Sequence, residues 1–215
     1  MTRIARFAGL LLLGSAVSAF ADNVTFNFEN HAATSGDGDL TTFSQTVNGV
    51  TMTVTRVGGN AFDLEDLSAS TPSWGSSSLS PFFDVSNSAF IFTFSQPVSA
   101  FSIQVGDFDG DSDTESGTAF SGPNGTGSAL GTFTGAWGAR DLGNGDLPET
   151  DSISTAGIES IVFIGGSSDF PNSLYYDNVM VTTNASTATP EPGSLLLLLT
   201  GAGGIAGLRL RRRFL

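Results

Sequence analysis

AFIFTFSQPVSAFSIQV, residues 89–105, decides the fold. Ala89–Phe94 is apolar on both faces apart from Thr93, the pattern of a strand covered above and below and paired at both edges. Gln96-Pro97 is read as a turn, because proline has no N–H to give to a ladder. Val98–Val105 then alternates, with Phe101, Ile103 and Val105 on one face, since successive strand side chains point to opposite sides. The segment therefore predicts a strand, a proline turn and a second strand that runs into an acidic loop.

The same period of two recurs on either side. In Val24–Glu29, Val24, Phe26 and Phe28 point inward, and in Val50–Thr55, Val50, Met52 and Val54 do. Ile153–Ile158 leads into Ser160–Ile164, a second buried strand, and Leu174–Thr182 closes the series. Thr118–Ser121 and Ala129–Thr134 are weaker candidates. Asn60–Leu67, with Phe62, Leu64 and Leu67, reads equally as strand or turn. His31–Leu40, Ser68–Ser80 and Gly135–Thr150 read as polar, Gly- and Ser-rich loops. No stretch of residues 22–182 has a convincing helical period, and no repeat recurs at a fixed spacing. Many short strands without helices predict an all-β protein: an antiparallel β-sandwich, in jelly-roll form.

Composition narrows the partners. Between residues 22 and 188 the only basic side chains are Arg56 and Arg140, whereas every acid of the chain's 21 except Glu191 lies there. So acidic a surface repels nucleic acid and anionic lipid and attracts cations. With no cysteine, neither disulfides nor thiol chemistry is available. The single histidine, His31, sits in a polar loop with no serine-nucleophile motif to serve, and no lysine completes a phosphate-cradling loop. No enzymatic activity is expected.

The ends carry their own signals. Arg3 and Arg6, an apolar Phe7–Val17 and Ala19-Phe20-Ala21 have the order of a cleaved signal peptide, residues 1–21. A second transmembrane helix is the other reading, and the apolar run is too short for it. After the β domain (22–182) and a Thr/Ala/Ser/Asn linker (183–189) comes a three-part tail (190–215). Pro190-Glu191-Pro192 is rigid and extended. Ser194–Leu208 is uncharged and mostly apolar, the expected C-terminal hydrophobic helix. Arg209, Arg211, Arg212 and Arg213 form a basic end that stays on the cytoplasmic side. The span falls short of the roughly 20 residues a full crossing needs, and snorkelling arginines make up part of the difference. An ordinary membrane anchor with a chance Pro-Glu-Pro remains the alternative.

The order of these parts resembles the PEP-CTERM sorting signal of bacterial exported proteins. That resemblance covers residues 190–215. It implies an exosortase, a membrane-embedded cysteine transpeptidase, as partner, transient anchoring in the inner membrane, and delivery to the cell surface or the extracellular matrix. The pieces FNFE (26–29), FTFSQPVSAFSIQVGDFDGD (92–111), ESIVFIGG (159–166) and YYDNVMV (175–181) are similar to the galactose-binding-like, lectin-type jelly rolls that often precede such a tail. Together these resemblances imply a structural or adhesive role in an exopolysaccharide or biofilm matrix. A calcium-dependent carbohydrate-binding lectin is the rival, and a secreted hydrolase the least supported reading.

The sharpest chemical motif is Asp107-x-Asp109-x-Asp111-x-Asp113-x-Glu115. Carboxylates this dense repel unless a cation or water separates them, and calcium takes six to eight hard oxygens from flexible loops. The run starts like an EF-hand loop but departs from it at the glycine position and lacks flanking helices. A solvated acidic edge that discourages aggregation is the alternative. The jelly-roll resemblance adds a second candidate. In such modules the first and last strands share a structural calcium, which would place Glu29 beside Asp177; hydrogen bonding of Asp177 and Asn178 to a neighbouring loop is the alternative. For a polysaccharide partner, Trp74, Trp137 and Arg140, with Tyr175 and Tyr176, are the available stacking and polar groups; loop packing against the sandwich explains the two tryptophans equally well.

Overall fold

The computed structural model describes residues 21–34, 38–81 and 88–184. The signal peptide, the Pro190-Glu191-Pro192 motif, the apolar tail and Arg209, Arg211, Arg212 and Arg213 lie outside the described residues. Among the described residues no helix is long and apolar enough to cross a membrane.

Ten strands of the described residues form one antiparallel sheet: β1 (Asn23–Phe26), β2 (Phe43–Val47), β3 (Val50–Arg56), β4 (Asp63–Glu65), β5 (Ser78–Ser80), β6 (Phe90–Gly106), β7 (Ser112–Phe120), β8 (Ala129–Ala139), β9 (Glu149–Gly166) and β10 (Tyr175–Thr183). The main path runs β4-β5-β10-β6-β9-β7-β8, with β1 on β10 and the β2–β3 hairpin on β6. The sheet curls on itself as a half-barrel and fits a β-sandwich.

The curl is built into β6. The sequence suggests a turn at Gln96-Pro97, but the chain bends there without reversing and continues as one 17-residue strand. Ser95, Gln96 and Pro97 are exposed, and the pairing of β6 with β9 lapses between Thr93 and Val98. Proline interrupts the ladder without reversing the chain, because the same partner strand continues on the far side of the bulge. The neighbour on the opposite edge changes there: β3 pairs with Phe90–Phe94, and β10 pairs with Val98–Gly106. Likewise the two candidates Ile153–Ile158 and Ser160–Ile164 are halves of one strand, β9, which carries its own irregularity at Gly157 (φ +84°).

Bending brings the two halves of β6 together. Phe101 lies 5.9 Å from Phe92 and 6.2 Å from Phe94 between ring centroids. From there a chain of rings crosses the interior: Phe101 to Phe133, Phe133 to Phe163 (5.5 Å), Phe163 to Tyr176 (5.3 Å), Tyr176 to Phe90 (5.4 Å) and Phe90 to Phe62 (5.6 Å). Each buried ring contributes about 1.5–3 kcal/mol by leaving water, which is how a domain without disulfides holds together. Phe133 lies over Gly117, where a Cβ would stand only 2.1 Å from the ring. Arg56 is also buried. It donates to the carbonyls of Ser88, Ala61 and Pro81, and its guanidinium stands 5.3 Å from the Phe90 ring centroid.

Candidate metal centre

β6 ends at Gly106, and residues 107–111 form a tight loop into β7. Gly110 takes φ +71°, which a side chain would disfavour, and Asp109 Oδ1 accepts the Asp111 N–H at 3.1 Å. This turn gathers the aspartates, with Asp107 and Asp113 inside, Asp111 half-buried and Asp109 exposed. One carboxylate oxygen from each of Asp107, Asp109, Asp111 and Asp113 lies within 4.8 Å of the others. Asp107 and Asp113 are only 3% and 1% exposed. Asp107 Oδ2, Asp111 Oδ1 and Asp113 Oδ2 are buried with no donor facing them; Asp113 Oδ1 receives only a long bond, 3.4 Å, from Ser173 Oγ.

The expected acidic run is therefore not a loop throughout. β7 begins at Ser112, and its alternation turns Asp113, Glu115, Gly117 and Ala119 inward. The solvated-edge alternative fails for Asp107, Asp113 and Glu115, all of which are buried. Nor do the five acids share one centre. Glu115, 2% exposed, leaves the aspartates and meets Glu149 and Asp151 from the start of β9, again with oxygens within 4.8 Å. Sequence reasoning missed those two partners because residues 135–150 read as a loop. The structure continues β8 to Ala139 and starts β9 at Glu149. An alternating Glu149-x-Asp151-x-Ile153 was the available signal.

Burial governs the acid–base behaviour. It is the leading cause that pushes Asp107 and Asp113 up from the usual carboxylate range, with neighbouring aspartates adding to it. Asp109, bonded to Asp107, is held low. Burial, then the charge of Asp151, raises Glu115 to about 8; burial, then Glu149, raises Asp151 to about 6. The raised groups resist ionisation because burial strips their hydration and their acidic neighbours repel a further negative charge. An all-oxygen set of this kind suits a hard divalent cation such as calcium.

β1 pairs with β10, so the first and last strands do adjoin. At their end, Glu29 accepts from the Ser76 and Ser77 N–H groups (2.7 and 3.0 Å) and from Ser76 Oγ (2.7 Å). Asp177, fully buried, accepts from Ser78 Oγ at 2.9 Å and from the Asn178 N–H; burial raises it to about 8. Asn178 Nδ2 donates to Ser73 O and to Gln104 Oε1. The two carboxylates accept from Ser76, Ser77 and Ser78, and Asn178 holds Ser73, as in the hydrogen-bonding alternative for this pair.

The tryptophans are not open platforms. Trp74, in a 3-10 turn, and Trp137, on β8 rather than in a loop, are each 1% exposed. Trp74 Nε1 donates to Gln104 Oε1 at 2.9 Å. The Arg140 guanidinium covers Trp137, 3.9 Å from its centroid, donates to the Trp137 carbonyl and pairs with Glu149. Packing rather than ligand stacking accounts for both indoles. The accessible aromatic surface lies elsewhere. A 260 Å³ pocket beside the aspartates is lined by Phe108, Phe170, Ser173 and Tyr175 together with Asp107 and Asp109.

No protein-family model matches the chain, and no curated protein does. Among solved structures, the chain is similar to the K2 cleaved adhesin domain of Lys-gingipain, at TM-score 0.43 and 15% identity, over 75% of this chain and all of that domain.

Proposed function

We propose that this chain is an exported, exosortase-sorted protein of the cell surface or extracellular matrix. Its jelly-roll form of the sandwich serves a structural or adhesive role in exopolysaccharide or biofilm, without catalysis, and calcium stiffens its acidic end. The observation that carries the calcium reading is the convergence of Asp107, Asp109, Asp111 and Asp113, with two of the four buried and their inner oxygens lacking donors. Leaving such groups unpaired costs several kcal/mol, and a divalent cation at the focus offsets that. The sorting reading rests on the order of the Pro-Glu-Pro, apolar and arginine segments.

The calcium reading is tested by melting the full-length chain in calcium and in chelator. The expected result is a higher melting temperature in calcium, lost in Asp107→Asn/Asp113→Asn; an unchanged transition overturns it. Intact mass of the native protein tests sorting. Loss of residues 1–21 and of the tail after about Pro192 is expected, and an uncut cytosolic chain defeats the proposal. The Phe108–Phe170–Tyr175 pocket beside the aspartates favours a second reading, calcium-dependent carbohydrate binding. A glycan array with and without calcium separates the two, since a passive matrix protein leaves it silent in both.

A further inference from the structure

We propose that Glu115, Glu149 and Asp151 form a second divalent-cation site, built independently of the four aspartates. Three observations converge on it. One oxygen of each carboxylate lies within 4.8 Å of the others. Glu115 Oε1 and Asp151 Oδ2 are buried without donors, on side chains only 2% and 7% exposed. And the two acids crowd one small volume that β8 leaves open by placing a glycine there: a Cβ on Gly135 would stand 2.4 Å from Glu115 Oε1 and 2.5 Å from Asp151 Oδ1. Any other residue at 135 would fill that volume.

The ligand set is also oriented. Glu115 Oε2 accepts the Trp137 N–H at 3.2 Å, which fixes the carboxylate and leaves Oε1 for the cation. Arg140 holds Glu149 from the solvent side, so Glu149 is the outer ligand and Glu115 and Asp151 the inner ones. A groove of about 630 Å³ lined by Thr114, Glu115, Gly135 and Gly165 adjoins the Glu115 side of the group. Three carboxylates and water make an oxygen-only shell suited to calcium or magnesium and not to soft metals.

Because the site shares no residue with the aspartate cluster, the two stand or fall separately. The experiment is equilibrium dialysis of the full-length chain with radioactive calcium as the only ligand. Wild type is expected to hold two ions. Glu115→Gln/Asp151→Asn is expected to hold one, and so is Asp107→Asn/Asp113→Asn. Gly135→Ala keeps every acid and fills the focus, so it too drops to one ion; it is the control if neutralising the acids perturbs folding, which near-ultraviolet circular dichroism monitors. Two ions retained in both Glu115→Gln/Asp151→Asn and Gly135→Ala overturn the proposal. So does a single ion in wild type that only the Asp107/Asp113 variant removes, an outcome that leaves the aspartate reading intact. A single ion removed only by the Glu115/Asp151 variant supports the second site and defeats the first.

Discussion

β6 and β7 lie on either side of β9 and present alternate side chains to the same interior. From β6 come Phe90, Phe92, Phe94, Phe101, Ile103 and Val105; from β7 come Asp113, Glu115, Gly117 and Ala119. Backbone geometry is alike in the two strands, so strand formation does not depend on what is buried. Energetics does. The β6 side chains release water and gain close packing. The β7 carboxylates lose hydration, and one oxygen of each, Asp113 Oδ2 and Glu115 Oε1, gains no donor in return. One end of the interior is complete as a hydrocarbon core, and the other holds buried carboxylate oxygens without donors.

The largest expected effect comes from breaking the complete end. Phe163→Ala removes a fully buried ring that stacks on Phe133 and meets Tyr176 edge-on. A loss of about 3–5 kcal/mol in denaturant unfolding is expected, equal in calcium and in chelator. A loss that depends on calcium would show that the two ends are not energetically separate.

The acidic end is sharpened next by pH. Burial pushes Glu115 up to about 8 and Asp151 to about 6 in the folded chain, and Asp107 and Asp113 are also shifted upward. A folded value above the unfolded one means that the folded state holds the proton more tightly. The resulting stability is full below about pH 4, where the unfolded carboxyls titrate, and is lost as pH rises through 6 to 8. In chelator the unfolding free energy should fall by a few kcal/mol between pH 5 and 9, because each tenfold difference in proton affinity between the folded and unfolded chain is worth about 1.4 kcal/mol. Calcium should flatten that slope by taking the proton's place. A chelated protein whose stability is level over this range would mean that water already solvates these groups.

The same contrast explains what could be read in the sequence. Val24, Phe26 and Phe28, Val50, Met52 and Val54, and the β6 set all announce themselves, because hydrophobic alternation is visible and their burial follows it. β7 was legible only in part, as Thr118–Ser121, because its inward positions are two acids, a glycine and an alanine; β8 was legible only as Ala129–Thr134, because Gly135 stands between the Phe133 and Trp137 that it turns inward. A strand that buries Asp113 and Glu115 reads as a loop to any test that looks for hydrocarbon. β2 and β5 stayed hidden for a related reason: FSQTV and SLS have too few apolar positions to show a period. The clustering of Asp107–Asp113 followed from spacing along the chain, whereas the partnership of Glu115 with Glu149 and Asp151 depends on β7, β8 and β9 meeting, which spacing does not encode. The buried tryptophans teach the converse: a polar neighbourhood in sequence does not keep an indole at the surface.

A substitution at Asp113 should invert sign with calcium. Asp113→Asn keeps shape and removes charge. In chelator at pH 8 it relieves a buried unpaired carboxylate, and a gain of about 1–2 kcal/mol in unfolding free energy is expected. In saturating calcium it removes a ligand, and a loss of similar size is expected. Thermal or denaturant unfolding in the two buffers checks both signs. Equal effects in the two buffers would remove Asp113 from any cation site.

The smallest effect falls at the rim. Arg140 lies over Trp137 and pairs with Glu149, with about a third of each charged side chain exposed. Exposed ion pairs contribute about 0–1 kcal/mol and a guanidinium on an indole about 0.5–1 kcal/mol, so Arg140→Ala should lower stability in chelator by about 1 kcal/mol. Its effect on ion binding has the opposite direction. Arg140 is the positive charge already in contact with the Glu115–Glu149–Asp151 group, and it competes for Glu149 with any cation placed there. Removing it should tighten calcium at that group severalfold while leaving calcium at the four aspartates unchanged, a difference that titration calorimetry of wild type and variant can resolve. Were Arg140 instead a support that orients Glu149 toward the ion, the variant would bind calcium more weakly, and the division between an inner pair of ligands and an outer, arginine-shared one would have to be redrawn.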